Sequence, residues 1–207
     1  MGGWPEAVPA DVDREGVSVP EVGGALDAVS RVRAFAAVFA SESAFRAFYD
    51  RALPVVYGYL VHRCGGDTAL AEDLAQTTFA EVVQRRGSYD GRSEPVTWVV
   101  GIARHKLVDV FRRQARDEHR RLRLEVRELA LEGEDRAWRS LDDGEQLGAL
   151  LGRLPALQRA ALVLHYADGL PVREVARRIH KSESATESLL TRGRAALRDA
   201  WQEASHD

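Results

Sequence analysis

Apolar and aromatic residues recur at three- and four-residue steps after Ser41, the spacing that places side chains on one face of a helix. The members of this stripe are Phe45, Phe48, Tyr49, Ala52, Val56 and Tyr59. We therefore predict an amphipathic helix that is closed by Cys64-Gly65-Gly66, with Pro54 bending or interrupting it. An extra helix that packs on one of the two domains is indicated before Ser41 by Val29, Val32, Phe35, Ala36 and Phe39.

Two further helices are predicted before residue 117. Asp67 or Thr68 can cap the first of them, and its inward side chains would be Leu70, Leu74, Phe79 and Val82. The second runs from residue 97 to about residue 116, with a buried stripe of Val99, Ala103, Leu107 and Val110. Residues 87–95 form the loop between them, because two glycines and a proline break any helical period.

Helical spacing returns over residues 145–203, with breaks at 168–171 and 180–182. A short helix over 172–179, a three-residue turn and a longer helix after Ser182 predict a helix-turn-helix unit. Its core would contain Val175, Ala176, Ile179, Leu190, Gly193 and Leu197. Because no segment alternates in the manner of a strand, the predicted fold is all-α, with two small helical domains joined by a charged linker.

The domain limits follow from shifts in composition and charge. Residues 1–24 are rich in proline and glycine and lack apolar periodicity, which predicts a flexible tail. The first domain is placed at 25–116, the linker at 117–144 and the helix-turn-helix domain at 145–207. Residues 92–123 hold nine bases and four acids, a net of +5, whereas 124–144 hold three bases and seven acids, a net of −4.

The composition limits the classes of protein to which this chain can belong. The chain is 45% apolar and 29% charged, with a net charge of −3, which is typical of soluble globular proteins. It has no apolar run near the roughly 18 residues of a membrane helix and no basic leader, so we expect a cytoplasmic protein without membrane insertion. Cys64, the single cysteine, is expected to be a small buried residue. The six histidines are scattered, so no metal, no cofactor and no enzymatic activity are expected.

The second helix of the helix-turn-helix unit has a polar face suited to DNA. Short hydrogen-bonding side chains precede cations along it, an order that fits base edges first and phosphates later. The residues concerned are Ser184, Glu187, Ser188, Thr191, Arg192 and Arg194. The alternative is an ordinary amphipathic helix whose polar face is simply solvated.

The helix over 97–116 carries an indole beside a ladder of bases. Trp98, His105, Arg112, Arg113 and Arg116 would follow a phosphate backbone, with Trp98 as a stacking surface for an unpaired base. The loop before it, with Ser88, Tyr89 and Arg92, could pocket an extruded base. Alternatively, Trp98 belongs to the core and the arginines are solvated. The residues alone indicate a bipartite all-α protein that binds nucleic acid.

Three blocks in order resemble RNA polymerase sigma factors of the extracytoplasmic-function type, within the sigma-70 family. AEDLAQTTFAEVV (71–83) is similar to the core-binding helix, and TWVVGIARHKLVDVFRRQAR (97–116) to the helix that melts and reads the minus-ten element. The segment from LPALQRAAL to TRGRAALRDA (154–200) is similar to the minus-thirty-five-reading domain. The resemblance covers roughly residues 45–201.

The resemblance implies a role for each matched residue. Asp73 and Gln76 would face the clamp helices of the polymerase β′ subunit, whereas Leu74 and Phe79 would be structural. Trp98 and the loop 88–93 would help to capture a flipped base, and Arg112, Arg113 and Arg116 would hold phosphates. Arg104 matches the same block and would be either a DNA contact or a partner in an ion pair.

The implied function is to direct promoter recognition and transcription initiation. The partners would be core RNA polymerase, through its β and β′ subunits, promoter DNA and an anti-sigma factor. A stand-alone helix-turn-helix regulator is the alternative. The chain departs from the family pattern in the turn, where His180 and Lys181 replace a small and an apolar residue, and on the recognition helix, where Glu187 and Leu189 replace a lysine and an arginine.

Overall fold

The computed structural model describes residues 27–125 and 143–204, and every regular element in these ranges is helical. The prediction of an all-α fold is confirmed. The tail predicted at 1–24 and residues 126–142 of the predicted linker lie outside the described residues. Within the described ranges, no helix combines the length and the apolar character needed to cross a membrane.

The described part of the first half, residues 27–125, contains four helices. They are α1 (Ala28–Val38), α2 (Glu42–Arg63), α3 (Thr68–Arg85) and α4 (Pro95–Glu125), and one 3-10 turn (Arg86–Ser88) follows α3. Each of the first three begins at a side-chain cap that accepts a backbone N–H. Asp27 accepts from Ser30, Ser41 from Ala44 and Asp67 from Leu70. Of the two residues proposed to cap α3, the cap is therefore Asp67.

Residues 143–204 form α5 (Asp143–Arg153), α6 (Ala156–Leu162), α7 (Val172–Ile179) and α8 (Glu183–Ala204). One π-helical turn (Val163–Ala167) continues α6. Helices α7 and α8 occupy the predicted positions of the helix-turn-helix unit. Val175, Ile179 and Leu190 are buried between them, and Gly193 lets α8 approach the side chain of Leu162 on α6.

The interruption predicted in α2 does not occur, because the helix runs through Pro54 without a break. A proline in a helix removes one N–H and leaves the carbonyl four residues earlier without its partner. Asp50 and Pro54 are both exposed, so water can take up that carbonyl. The opposite face of α2 meanwhile buries Ala52, Val56 and Leu60 completely, which stabilises the helix on both sides of the proline.

The predicted end of the third helix was also wrong, because α4 continues from Arg116 to Glu125. The added segment contains neither glycine nor proline and is rich in good helix formers. Its exposed side chains include the pair Asp117 and Arg120, which are one turn apart and 3.7 Å from each other. Residue Glu118 in this segment reaches α6, so tertiary contact adds to local propensity.

Two helical layers hold the core of the first half, with α2 and α3 packed on α4. The predicted stripe of α4 is buried, as are Leu74 and Val82 of α3. Cys64 is buried as well, in agreement with the prediction. The helix predicted before Ser41 is confirmed as α1, and its side chain Phe35 inserts into the aromatic part of this first core.

Candidate polymerase and nucleic-acid interfaces

Helix α3 presents a polar face to solvent and an apolar face to the core. Asp73 and Gln76 are exposed and lie one turn apart. Leu74 and Phe79 are buried, at 3% and 5% exposure, which agrees with a structural role for both. Val83 extends the same outward face with an exposed aliphatic side chain. This face therefore combines exposed polar side chains with an exposed apolar one, a mixture that is common in protein interfaces.

The loop after α3 is shaped by its own hydrogen bonds. The hydroxyl of Tyr89 donates to the carbonyl of Ser93, and the carboxylate of Asp90 accepts from the N–H of Arg92 at 3.1 Å. Gly91 has a φ of +73°, a conformation that favours glycine. Ser88 and Arg92 are exposed, so these side chains of the loop are accessible to a ligand.

Tyr89, proposed as part of the loop that could pocket a base, is covered, because only 4% of it is exposed. Its ring lies 4.7 Å from that of Phe35 and 5.5 Å from that of Trp98, between ring centroids. Phe35 and Trp98 are 5.5 Å apart and edge-on. The three rings form the aromatic cluster of the first half, a geometry that stabilises buried aromatics. The ring of Tyr89 is thus covered, whereas Trp98 remains partly exposed.

Helix α1 holds the loop from outside, which the sequence analysis did not predict. The Nε of Arg31 donates to the carbonyl of Gly91 at 2.7 Å, and its Nη1 lies 3.5 Å from the carboxylate of Glu94. A Cβ on Gly91 would overlap the carbonyl of Ala28. The start of α1 therefore rests directly on the loop backbone.

The basic face of α4 lies beyond this loop. His105, Arg113 and Arg116 are exposed, and Arg112 is half-buried with its Nη1 3.0 Å from the carboxylate of Asp109. Pairing with Asp109 fixes Arg112 along the helix, whereas the side chains of Arg113 and Arg116 extend into solvent. This arrangement can bind a polyanion.

Helix α8 carries the second candidate surface. All six predicted residues are exposed, and five of them line one shallow concavity, namely Ser184, Glu187, Ser188, Thr191 and Arg192. The opposite face buries Thr186, Leu190 and Gly193. Ser182 caps α8 by accepting from the N–H of Ala185 at 3.2 Å. The polar face is therefore fixed toward solvent by the packing of its back.

The unusual turn before α8 closes without glycine. His180 takes the left-handed conformation with a φ of 55°, and the N–H of Lys181 donates to the carbonyl of Ala176 at 3.0 Å. This is the bond pattern that ends many helices, where glycine is usual. The replacement of the small residue therefore preserves the turn and adds two basic side chains beside α8.

A groove between α4 and the helix-turn-helix unit brings residues of both candidate surfaces together. Its apolar wall includes Leu157, Ile179 and Leu189. Its polar wall contains arginine, lysine and histidine side chains and one acid, namely Arg112, Arg116, His119, His180, Lys181, Arg192 and Glu118. Two predicted minus-ten residues thus share a groove with one predicted minus-thirty-five residue.

A buried cluster centred on Asp168 was also missed by the sequence analysis, where residues 168–171 marked only a helix break. Its carboxylate accepts from the hydroxyl of Tyr59 at 3.0 Å and from Arg63 Nε at 2.9 Å, and it lies 3.0 Å from Arg104 Nε. Burial, with the negative charge of Asp168, raises the pKa of Tyr59 to about 12. Of the two roles considered for Arg104, the structure favours the ion pair.

Comparison with known families shows which family the chain with these surfaces belongs to. Residues 48–117 match the model of sigma-70 region 2, and residues 144–197 match that of sigma-70 region 4. The chain belongs to the sigma-70 family of RNA polymerase sigma factors. Region 2 spans most of α2, all of α3 and the larger part of α4, and region 4 spans α5 to α8.

Relatives of this sigma factor include several of the extracytoplasmic-function type. BldN of Streptomyces coelicolor is 35% identical over 156 residues, which cover 70% of this chain and 56% of BldN. SigX of Bacillus subtilis is 29% identical over 163 residues, covering 76% of this chain and 83% of SigX. The chain therefore spans little more than half the length of BldN but most of SigX.

Solved structures with similarity include RpoE of Bartonella quintana in complex with the anti-sigma factor NepR. It has a TM-score of 0.47 and 21% identity, covering 76% of this chain and 96% of that one. The RsbN–BldN complex has a TM-score of 0.30 and 25% identity, covering 81% of this chain and 96% of that one.

Proposed function

We propose that this sigma factor binds core RNA polymerase and directs it to promoters whose minus-ten and minus-thirty-five elements it reads. The observation that carries the proposal is the division of α3 into a buried face and an exposed face that presents Asp73 and Gln76. A stand-alone DNA-binding regulator has no use for such a face beside its helix-turn-helix unit. In this proposal, α3 contacts the β′ subunit, with β as a further contact of the assembled enzyme.

The minus-ten element is read and melted by the loop and by α4. Ser88 and Arg92 project from a loop whose backbone is held by α1. They can therefore contact an extruded base without a large loss of loop conformational entropy. The part of Trp98 that is exposed offers the stacking surface, and Tyr89 supports it from beneath. His105, Arg112, Arg113 and Arg116 contact phosphates along α4.

The minus-thirty-five element is read by α8 in the major groove. Ser184, Glu187 and Ser188 lie in its first two turns, where side chains of a recognition helix meet base edges. Thr191, Arg192 and Arg194 follow and contact the backbone. Hydroxyls accept and donate, so Ser184 and Ser188 can pair with several bases, whereas Glu187 accepts from cytosine N4.

The proposed domain limits are 25–116 and 145–207, with a tail before and a linker between them. The match to region 2 ends at residue 117, one residue after the proposed end of the first domain. The match to region 4 begins at residue 144, one residue before the proposed start of the second domain. An anti-sigma factor that withholds the chain from polymerase completes the proposal.

Binding to purified bacterial core RNA polymerase tests the proposal. We expect the full chain to bind core and to start RNA synthesis at defined positions on genomic fragments. The double variant Asp73→Ala, Gln76→Ala should weaken core binding by about tenfold or more, the size expected for central interface residues. Asp199→Ala removes an exposed acid from α8 and should leave core binding unchanged.

Two results would reject the proposal. The first is a chain that binds DNA by itself but never binds core, which is the behaviour of a stand-alone regulator. The second is equal core binding by the double variant and the wild type, which would show that this face of α3 does not contact polymerase.

A further inference from the structure

Helix α1 lies outside both family matches. It ends at Val38, whereas the match to region 2 begins at residue 48. The match therefore assigns no role to α1, and its role has to be derived from what the helix contacts. Its contacts include the loop 88–93 and Trp98. These are the two parts of the structure that the proposed function assigns to an extruded base.

One face of α1 makes these contacts. Ala28, Arg31 and Phe35 are spaced by three and four residues, so they lie on the same side of the helix. Asp27 caps α1 by accepting from the N–H of Ser30 at 2.7 Å, which fixes its first turn. The start of this face therefore meets the loop, and its later part meets the aromatic cluster.

The loop backbone is held at Gly91 by Arg31. The Nε of Arg31 donates to the carbonyl of Gly91 at 2.7 Å in a partly buried setting, and Nη1 lies 3.5 Å from the carboxylate of Glu94. A charged donor makes the first contact stronger than a neutral hydrogen bond. The side chain of Glu94 is 57% exposed, so the ion pair contributes little beside it.

The loop side chains that would meet a base are held much more weakly. Asp90 and Arg92 flank Gly91, and their side chains are 56% and 88% exposed. The Nε of Arg92 lies 3.3 Å from the carboxylate of Asp90, and an exposed ion pair of this kind contributes little. Discrimination between bases therefore depends on where the backbone at Gly91 places its two neighbours.

Phe35 extends the hold of α1 to the indole. Its ring is 2% exposed and lies 5.5 Å from the ring of Trp98 and 4.7 Å from that of Tyr89, between centroids. The hydroxyl of Tyr89 donates to the carbonyl of Ser93 at the end of the loop. Helix α1 thus fixes the separation between the loop and the indole, which is the space in which a captured base would stack and form hydrogen bonds.

Affinity and base choice would come from different parts of this surface. Phosphate contacts along α4 attract DNA of any sequence, whereas base choice requires contacts to base edges from groups in fixed positions. A loop that moved relative to the indole would adapt to several bases, as flexible binding surfaces do. Loss of the α1 contacts should therefore reduce base choice more than DNA affinity.

We propose that Arg31 is a positioning residue that sets base selectivity at the minus-ten element. Its bond to Gly91 holds the loop against α1 and thereby fixes Asp90 and Arg92 relative to Trp98. The inference rests on the proposed function. It adds a determinant of promoter choice that lies before the matched region 2.

Transcription by the full chain with core RNA polymerase tests this role. The templates carry each of the four bases in turn at every position of the minus-ten and minus-thirty-five elements. We expect the wild type to prefer one base at the captured minus-ten position. Arg31→Gln should lower the ratio of preferred to other bases there by about tenfold, the size expected for one hydrogen bond to a charged group. Preferences in the minus-thirty-five element should stay unchanged.

Two matched variants separate the loop contact from the charge of the surface. Arg33→Gln removes an exposed arginine from the same helix. Glu94→Gln removes the exposed partner of the ion pair and leaves the bond to Gly91. Both should keep the base ratios of the wild type. If Arg31→Gln fails to fold by circular dichroism, Arg31→Lys replaces it, because lysine keeps the charge but lacks the planar fork; it should also lose selectivity.

Amide hydrogen exchange over residues 88–94 of the free chain gives a readout that does not depend on polymerase. We expect faster exchange in Arg31→Gln than in the wild type, and no change in Arg33→Gln. Equal exchange in Arg31→Gln and the wild type would overturn the hold of α1 on the loop.

The selectivity role and the proposed function fail in different ways. A wild type that starts no RNA synthesis with core rejects the proposed function. A transcribing chain whose folded Arg31 variants keep the wild-type base ratios rejects the selectivity role alone. So does an equal loss of transcription with all four bases, which would mean that Arg31 only stabilises the fold.

Discussion

Glu187 places a negative charge on the polar face of α8, among Ser184, Ser188 and Thr191. In the proposed complex with DNA, this carboxylate either accepts from cytosine N4 or repels a phosphate. We predict that Glu187→Lys raises affinity for the upstream element, steepens the dependence of log affinity on log salt by about one unit, and changes the base preferred at one position. Binding by the core complex across a salt series, on upstream elements varied base by base, measures all three.

The matched control for this charge reversal is Glu203→Lys on the same helix. Glu203 is exposed. It follows Glu187 by sixteen residues, so its side chain lies about 160° around the helix from that of Glu187, at roughly 100° per residue. It should change neither the preferred base nor the salt dependence. Equal base preference and equal salt dependence in the two variants would show that Glu187 does not contact DNA.

Single residues show where inference from sequence stops. The spacing of Leu74 and Phe79 predicted their burial, because periodicity reports which face of a helix is covered. Tyr89 lies in a loop, where no period applies, and its burial depends on Phe35 from a distant helix. The sequence alone allowed either a DNA contact or an ion pair for Arg104. Only the position of Asp168, far along the chain in the second half, favours the ion pair.

Helix α1 and the loop after α3 form one element of the candidate site, since Ala28 and Arg31 contact the loop backbone at Gly91. Gly91 has a positive φ, and its Cβ would overlap the carbonyl of Ala28. We therefore predict that Gly91→Ala lowers the free energy of unfolding by about 2 kcal/mol. Displacement of the loop should also reduce melting of the minus-ten element. Urea denaturation and permanganate reactivity of promoter thymines with core polymerase measure the two effects.

Gly87 provides the comparison within the same loop. A Cβ there meets no atom within 4 Å, and its φ is not positive. Gly87→Ala should therefore change stability by less than about 0.5 kcal/mol and leave melting intact. If both alanine variants melt promoters as well as wild type, α1 has no part in positioning the loop.

Helices were predictable as elements, but their ends and interruptions were not. Period, caps and glycines located α2, α3, α7 and α8 because these signals are local. The continuity of α2 through Pro54 follows from burial on both sides of the proline, and the extension of α4 to Glu125 is accompanied by the contact of Glu118 with α6. Both are tertiary effects that override local preference.

At the scale of the whole molecule, the sequence predicted two helical domains and their order but not their docking. Each domain has its own periodic pattern of apolar residues, and this pattern is visible in the sequence. The docking depends on a few residues with no period: Asp168 and Glu118, whose carboxylates accept from the other half of the chain, and Gly65, whose backbone lies against that of Gly152. The groove that joins candidate residues of both regions is a consequence of this docking, so no local motif could have predicted it.

Alkaline pH should weaken the contact between the two halves of the chain through Tyr59. In the docked arrangement its hydroxyl donates to Asp168, with Arg63 and Arg104 packed around the same phenol. Burial and Asp168 raise its pKa to about 12, above the value of about 10 for an exposed tyrosine. The stabilising contribution is therefore complete below about pH 10 and is lost as pH rises toward 12.

Tyr59→Phe isolates this effect, because every other residue is the same in both chains. We expect the free energy of unfolding of the wild type, measured by urea denaturation, to fall between about pH 10 and 12, while that of Tyr59→Phe falls less over the same range. Below about pH 10, Tyr59→Phe should already be less stable than the wild type, since Asp168 has lost a donor. A wild type whose stability falls in parallel with that of Tyr59→Phe as pH rises would mean that other groups cause the loss, and that the phenol of Tyr59 does not hold the two halves of the chain together.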